Sequence, residues 1–150
     1  MIAETMPQEA ITDKLPYKEP FLFVDRLLSV TDGGVVGEYT FQDNAFFYEG
    51  HFKDHPVTPG AILTECMAQI GVVCLGIHLI SEESSEMDGQ VALTSSNVEF
   101  YKTVYPGETV IVTSRKKYFR FNKLKCNVTM RNRADQIVAK GTISGVVIPK

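Results

Sequence analysis

Two side chains of this sequence form a pair suited to moving protons. His51 lies in the loop Tyr48-Glu49-Gly50-His51-Phe52-Lys53-Asp54-His55-Pro56-Val57-Thr58-Pro59-Gly60, and Glu65 follows five residues later. Imidazole titrates near neutral pH unaided, so His51 suits a base. Glu65 is the single acidic residue in the run from Ala61 to Ile80, with Leu63, Met67 and Ala68 around it. A carboxylic acid in apolar surroundings suits proton donation. Gln69, four residues on, shares its helical face and can orient the carboxyl group. Pro56 and Pro59 stiffen the loop, Pro59 suits a helix start, and Gly60 leaves backbone amides open to a ligand. Amides at a helix start carry partial positive charge and welcome an anionic oxygen. A base, an acid and an oxyanion-binding amide are the set that a carbonyl-activated β-elimination beside a thioester requires. Such chemistry needs no cofactor and no metal, and none is expected. Taken singly, each residue also has a plainer reading: His51 as a hydrogen-bonded loop residue, Glu65 as the partner of an arginine. His55 and His78 read as structural, and Tyr48 and Phe52 as packing or pocket-lining groups.

The elements around this loop follow from pattern. Residues 1–14 read as a loosely held lead-in or short helix. Phe21 to Ser29 is β-rich and apolar, and Asp32-Gly33-Gly34 reads as a hairpin turn into VVGEYTFQ. Residues 61–80 form a nearly unbroken apolar run, long enough to span a bilayer. Glu65, Gln69 and His78 lie inside it, no basic cluster flanks it, and a helix buried in the core is the better reading. The stretch 81–89 ends that helix as an exposed loop. Strand signals then dominate, broken by turns at Pro106-Gly107, near Asn122-Lys123 and at Ala134-Asp135. One long apolar helix followed by strands on short turns is an α+β pattern, in which a curved, mostly antiparallel sheet wraps the helix.

Bulk properties narrow the function classes. At 44% apolar and 22% charged, the 150-residue chain is globular in composition and long enough for a real core. A net charge of -3 gives no general attraction to nucleic acid or anionic membrane, and neither is expected as a partner. Three cysteines without CxxC spacing suggest buried thiols rather than a disulfide framework or zinc site. No secretory leader is evident, so a cytoplasmic location is expected.

The central stretch EGHFKDHPVTPGAILTECMAQ resembles the signature of the β-hydroxyacyl-acyl-carrier-protein dehydratases, a G-H-F-P-x-x-P-x-x-P-G loop before an E-A-M-A-Q helix. LPYKEPFLFVDRLLSV is similar to that family's L-P-H-R-x-P-F-L-x-V-D-R opening, and NVEFYKTVYPGE to its later F-x-x-x-V-x-P-G-D segment. The resemblance runs from Leu15 to the C-terminus and implies one hot-dog domain over 15–150, a long central helix wrapped by a curved antiparallel sheet. By that match His51 takes the catalytic histidine position and Glu65 the acid position of the FabZ type. Gly60 takes the thioester-binding amide, Val57 the carbonyl that orients the histidine, and Gln69 the glutamine beside the acid. The resemblance further implies a homodimer with sites shared across the interface, sometimes as a trimer of dimers. The expected activity is reversible dehydration of a (3R)-3-hydroxyacyl group on acyl carrier protein, in fatty-acid, polyene or polyketide synthesis. Four positions depart from the pattern: Lys53 for Pro, Thr58 for Met, Cys66 for Ala and Tyr17 for His. A hot-dog thioesterase, a coenzyme-A hydratase and a non-catalytic carrier-binding subunit of a heteromer are the alternatives.

Two further expectations concern substrate. Phe46, Phe47, Phe52 and Phe100 are placed around an acyl tunnel. Arg115, Lys116, Lys117, Arg120 and Lys123 lie, with Lys125, in a stretch without acidic residues, and suit docking of an acidic carrier protein as well as they suit a solvated hairpin tip.

Overall fold

A computed structural model describes residues 8–83 and 90–148. The expected exposed loop at 81–89 falls largely outside these residues. The chain opens with a short helix α1, Gln8–Asp13, whose Ile11 is fully buried. The hairpin β1, Arg26–Thr31, and β2, Gly34–Thr40, turns at Asp32-Gly33. After a 3-10 turn at Phe46–Glu49 comes the long central helix. It consists of α2, Gly60–Ala68, one π turn, Gln69–Val73, and α3, Cys74–Glu83. Four strands follow: β3, Gln90–Phe100; β4, Thr109–Arg120; β5, Lys123–Asn132; and β6, Ile137–Ile148.

Among the described residues the six strands form one sheet in the order β1-β2-β4-β5-β6-β3, every pair antiparallel. The alternation of strand residues puts Val110, Val112 and Ser114 of β4 and Leu124, Cys126, Val128 and Met130 of β5 on the inner face, all buried. The helix has no polar stripe: from Cys66 to Ile80 every residue is buried, so it is wrapped rather than laid on the surface. By length and composition Gly60–Ser81 could cross a membrane, yet 72% of its most apolar window is buried inside the fold. It comes close to the sheet at Gly71, where a β-carbon would lie 3.0 Å from a Val128 methyl and 3.1 Å from the Ser114 β-carbon. The π turn falls at this crossing, a common place for such a bulge to adjust the helix to its neighbours.

All three cysteines are buried thiols. Burial pushes Cys74 and Cys126 up to about 12 and Cys66 well above its ordinary value, so they pack as neutral groups.

Two boundaries differ from the sequence expectation. Phe21–Val24 is not part of a strand; that segment docks on the helix, and pairing begins only at Arg26. The β4–β5 turn is Phe121-Asn122, one residue earlier than the composition suggests, with both residues at positive φ (53° and 62°). Asn tolerates that conformation readily and Phe does not, which is why the local signal favoured the later pair.

Leu75 is wholly enclosed between helix and sheet. Leu75→Ala is expected to lower stability by about 2–5 kcal/mol in urea unfolding. A loss under about 1 kcal/mol would mean that the helix is not the packed centre of the fold.

Candidate active site

The His51 loop is closed by its own backbone. The Val57 amide donates to the His51 carbonyl at 2.8 Å, and Phe52 and His55 exchange both backbone bonds at 2.9 and 3.0 Å. Lys53 and Asp54 thus form the exposed tip of a tight turn, and the departure at Lys53 does not open the loop. The half-buried His51 ring stacks on Phe52, ring centres 4.0 Å apart. Its Nδ1 lies 3.0 Å from the Val57 carbonyl oxygen. A carbonyl only accepts, so Nδ1 carries the hydrogen and the neutral ring keeps Nε2 as a free base.

The loop runs into α2 through Pro59, whose carbonyl takes the amides of Ile62 and Leu63 at 3.0 Å. The Gly60 and Ala61 amides hold the orphan positions of the helix start. Gly60 also makes room for Phe100: a β-carbon there would lie 3.1 Å from the Phe100 ring, which closes over the helix start.

One turn on, Glu65 Oε2 accepts a 3.0 Å hydrogen bond from Gln69 Nε2. Gln69 is completely buried and fully engaged. Its Nε2 also donates to the Phe21 carbonyl at 3.1 Å, and its Oε1 accepts from the Phe23 amide at 2.8 Å. The Cys66 thiol adds a bond to the Phe23 carbonyl at 3.4 Å. The segment before β1 is thereby fastened to the helix, and the Glu65 carboxyl is fixed by a side chain that cannot rotate away.

Glu65 differs from the sequence expectation in exposure. In the protomer it is half-buried, flanked on its outer face by half-buried Ile62 and Thr64 and exposed Ala61. Among the described residues no hydrogen bond or ion pair joins Glu65 to an arginine, or to His51. Tyr17, a departure from the family pattern, lies near the carboxyl group. Its phenol is pushed up to about 12, by burial first and then by the charge of Glu65, which makes it a neutral neighbour of the carboxyl group.

The remaining candidates divide. Phe100 meets Gly60, and exposed Phe52 meets His51. Phe46 and Phe47 line a surface cleft of about 370 Å³ with Pro20, Phe23 and Tyr39. Arg115, Lys116, Lys117 and Arg120 are exposed and Lys123 is half-buried on the β4–β5 hairpin, tipped by Phe121 at 97% exposure. The Thr58 amide bonds the Val104 carbonyl ahead of β4, whereas Arg120 ends that strand. His78 is buried and bonds Asp32 at 2.9 Å, and His55 packs on Tyr105, ring centres 6.0 Å apart; both are structural contacts away from Glu65.

Comparison with known proteins shows the family and the fold. The model of the FabA-like domain matches residues 15–142. The 3-hydroxyacyl-[acyl-carrier-protein] dehydratase FabZ of Acinetobacter baumannii is 33% identical over 109 residues, 73% of this chain and 74% of the relative. The FabZ of Herpetosiphon aurantiacus is 33% identical over 144 residues, covering 93% and 89%. In fold, a chain of the dehydratase heterocomplex ApeI:P from Xenorhabdus doucetiae superposes with a TM-score of 0.78 at 15% identity, over 98% of this chain and 94% of that one. The six antiparallel strands around one long helix are the hot-dog fold, and the chain belongs to the FabA-like domain family.

Proposed function

We propose that this chain is a 3-hydroxyacyl-[acyl-carrier-protein] dehydratase of fatty-acid or related acyl synthesis, interconverting a (3R)-3-hydroxyacyl thioester and its trans-2-enoyl form. The carrying observation is the His51 Nδ1–Val57 carbonyl bond, which leaves Nε2 as a base on a loop that leads directly into an open helix start. In this reading Nε2 takes the α-proton and the Gly60 amide stabilises the charge growing on the thioester oxygen. Glu65, as the neutral acid, gives its proton to the departing hydroxyl, which leaves as water. Gln69 holds the carboxyl group, and Val57 holds the imidazole. The reverse reaction uses the same groups in exchanged roles.

The site is proposed to be shared in a cytoplasmic homodimer. Glu65 is only half-buried in the protomer, and β3 is an eleven-residue edge strand exposed along most of its length. Unpaired edges of that length are templates for pairing with another copy. Two β3 edges joined about a two-fold axis would cover Phe100 and bring one protomer's His51 loop towards the other's Glu65. Assembly into a trimer of dimers is compatible with this arrangement. Residues 15–150 act in it as a single domain, with 1–14 as a lead-in. Phe52 and Phe100 are proposed to line the acyl path, with Phe46 and Phe47 joining it only from their own cleft. Arg115, Lys116, Lys117, Arg120 and Lys123 are proposed to dock the acidic carrier.

The direct test is enoyl-thioester absorbance with a short 3-hydroxyacyl carrier-protein substrate. Wild type is expected to interconvert the two thioesters. His51→Ala and Glu65→Gln are each expected to lose about 10²–10⁴-fold in kcat. Unchanged turnover in Glu65→Gln would remove it as the acid, and release of free acid by wild type would favour a thioesterase. Charge reversal of Lys116 and Lys117 is expected to raise KM for the carrier-bound substrate, most strongly at low salt, and to spare a small thioester. Equal effects on both substrates would remove the hairpin from docking.

A further inference from the structure

The loop that carries His51 is held by a pair of hydroxyl groups. Tyr48, in the 3-10 turn Phe46–Glu49, shares a short hydrogen bond with Thr58. Both residues are almost wholly buried, at 7% and 5% exposure. A hydroxyl shut away from water is costly without a partner, so each of these depends on the other. Thr58 also donates its backbone amide to the Val104 carbonyl at 2.9 Å. The Val57–Thr58 peptide is not among the cis bonds of the chain, and the C=O and N–H of a trans peptide point in opposite directions. Anchoring the Thr58 N–H on Val104 therefore aims the Val57 carbonyl to the other side, where His51 Nδ1 meets it at 3.0 Å.

We infer that Tyr48 and Thr58 are a positioning pair that locks the Val57–Thr58 peptide and through it selects the His51 tautomer with a free Nε2. The inference rests on the reading of His51 as the base. Neither hydroxyl touches the ring; both act through the Val57 carbonyl. In the signature that this loop resembles, the Thr58 position commonly holds Met, which has no hydroxyl to pair. The device therefore belongs to this variant of the loop, where a buried tyrosine replaces simple apolar packing as the means of fixing the peptide.

The test combines ring-nitrogen NMR of histidine-labelled protein with steady-state dehydration kinetics. Tyr48→Phe and Thr58→Val remove one hydroxyl each at nearly constant volume, and Thr58→Ser retains it. His51 resonances are assigned by their loss in His51→Ala. Wild type and Thr58→Ser are expected to show His51 as the single Nδ1–H tautomer when neutral. Tyr48→Phe and Thr58→Val are expected to show a mixture, with kcat about tenfold lower and KM within about twofold. Joined, the two substitutions are expected to cost no more than the worse of them alone, since they break one shared contact. A His51 tautomer unchanged in both variants would overturn the inference, as would a Thr58→Ser enzyme as slow as Thr58→Val. A wild type that converts no substrate would count against dehydration alone, because the ring spectra decide the pairing without turnover.

Discussion

A primary amide with no access to water must have its donors and acceptor satisfied by the protein, and Gln69 sits in that position at the middle of an apolar helix. Its solution is to bond Phe23 and Phe21 with one set of contacts and Glu65 with another. Had the 21–23 segment paired in the sheet as a strand, its amide and carbonyl groups would be engaged there and Gln69 would lose its bonds to Phe21 and Phe23. The segment is instead extended along the helix, and Cys66 reinforces that docking. A fully satisfied buried network of this kind is rigid, and rigidity is what an acid needs if its proton is to be delivered to one oxygen.

The rest of the fold serves this helix. Because no face of it is polar from Cys66 to Ile80, a flat sheet could not cover it, and the six strands curve around it. The cost of such wrapping is an open end and an open edge. The open end is the helix start, where Pro59 ends the His51 loop and the first amides have no partner within the helix. The open edge is β3, with Phe100 leaning from it over Gly60. His51 is held by backbone and Glu65 by a side-chain amide, on supports that share no hydrogen bond, so each can keep its own geometry.

Much of this was legible in the residues. The apolar run announced the helix, the Asp32-Gly33 and Pro106-Gly107 signals announced the turns, and Gln69 at i+4 announced the hold on Glu65. What escaped depended on three-dimensional neighbours. The π turn is set where Gly71 meets Val128 and Ser114, a contact between residues more than forty positions apart. The partial exposure of Glu65 is invisible in its chain neighbours, and the pairing of the Thr58 hydroxyl with Tyr48 depends on how the loop folds back on the 3-10 turn.

The most direct test of a dehydration site built from two protomers is complementation. His51→Ala and Glu65→Gln chains are purified separately, mixed, unfolded and refolded together, and assayed for enoyl-thioester formation. If His51 of one chain works with Glu65 of the other, the mixed dimer contains one intact site, and the mixture regains activity that neither parent has. A mixture in which mixed dimers form but remain as inactive as the parents would contradict the shared site.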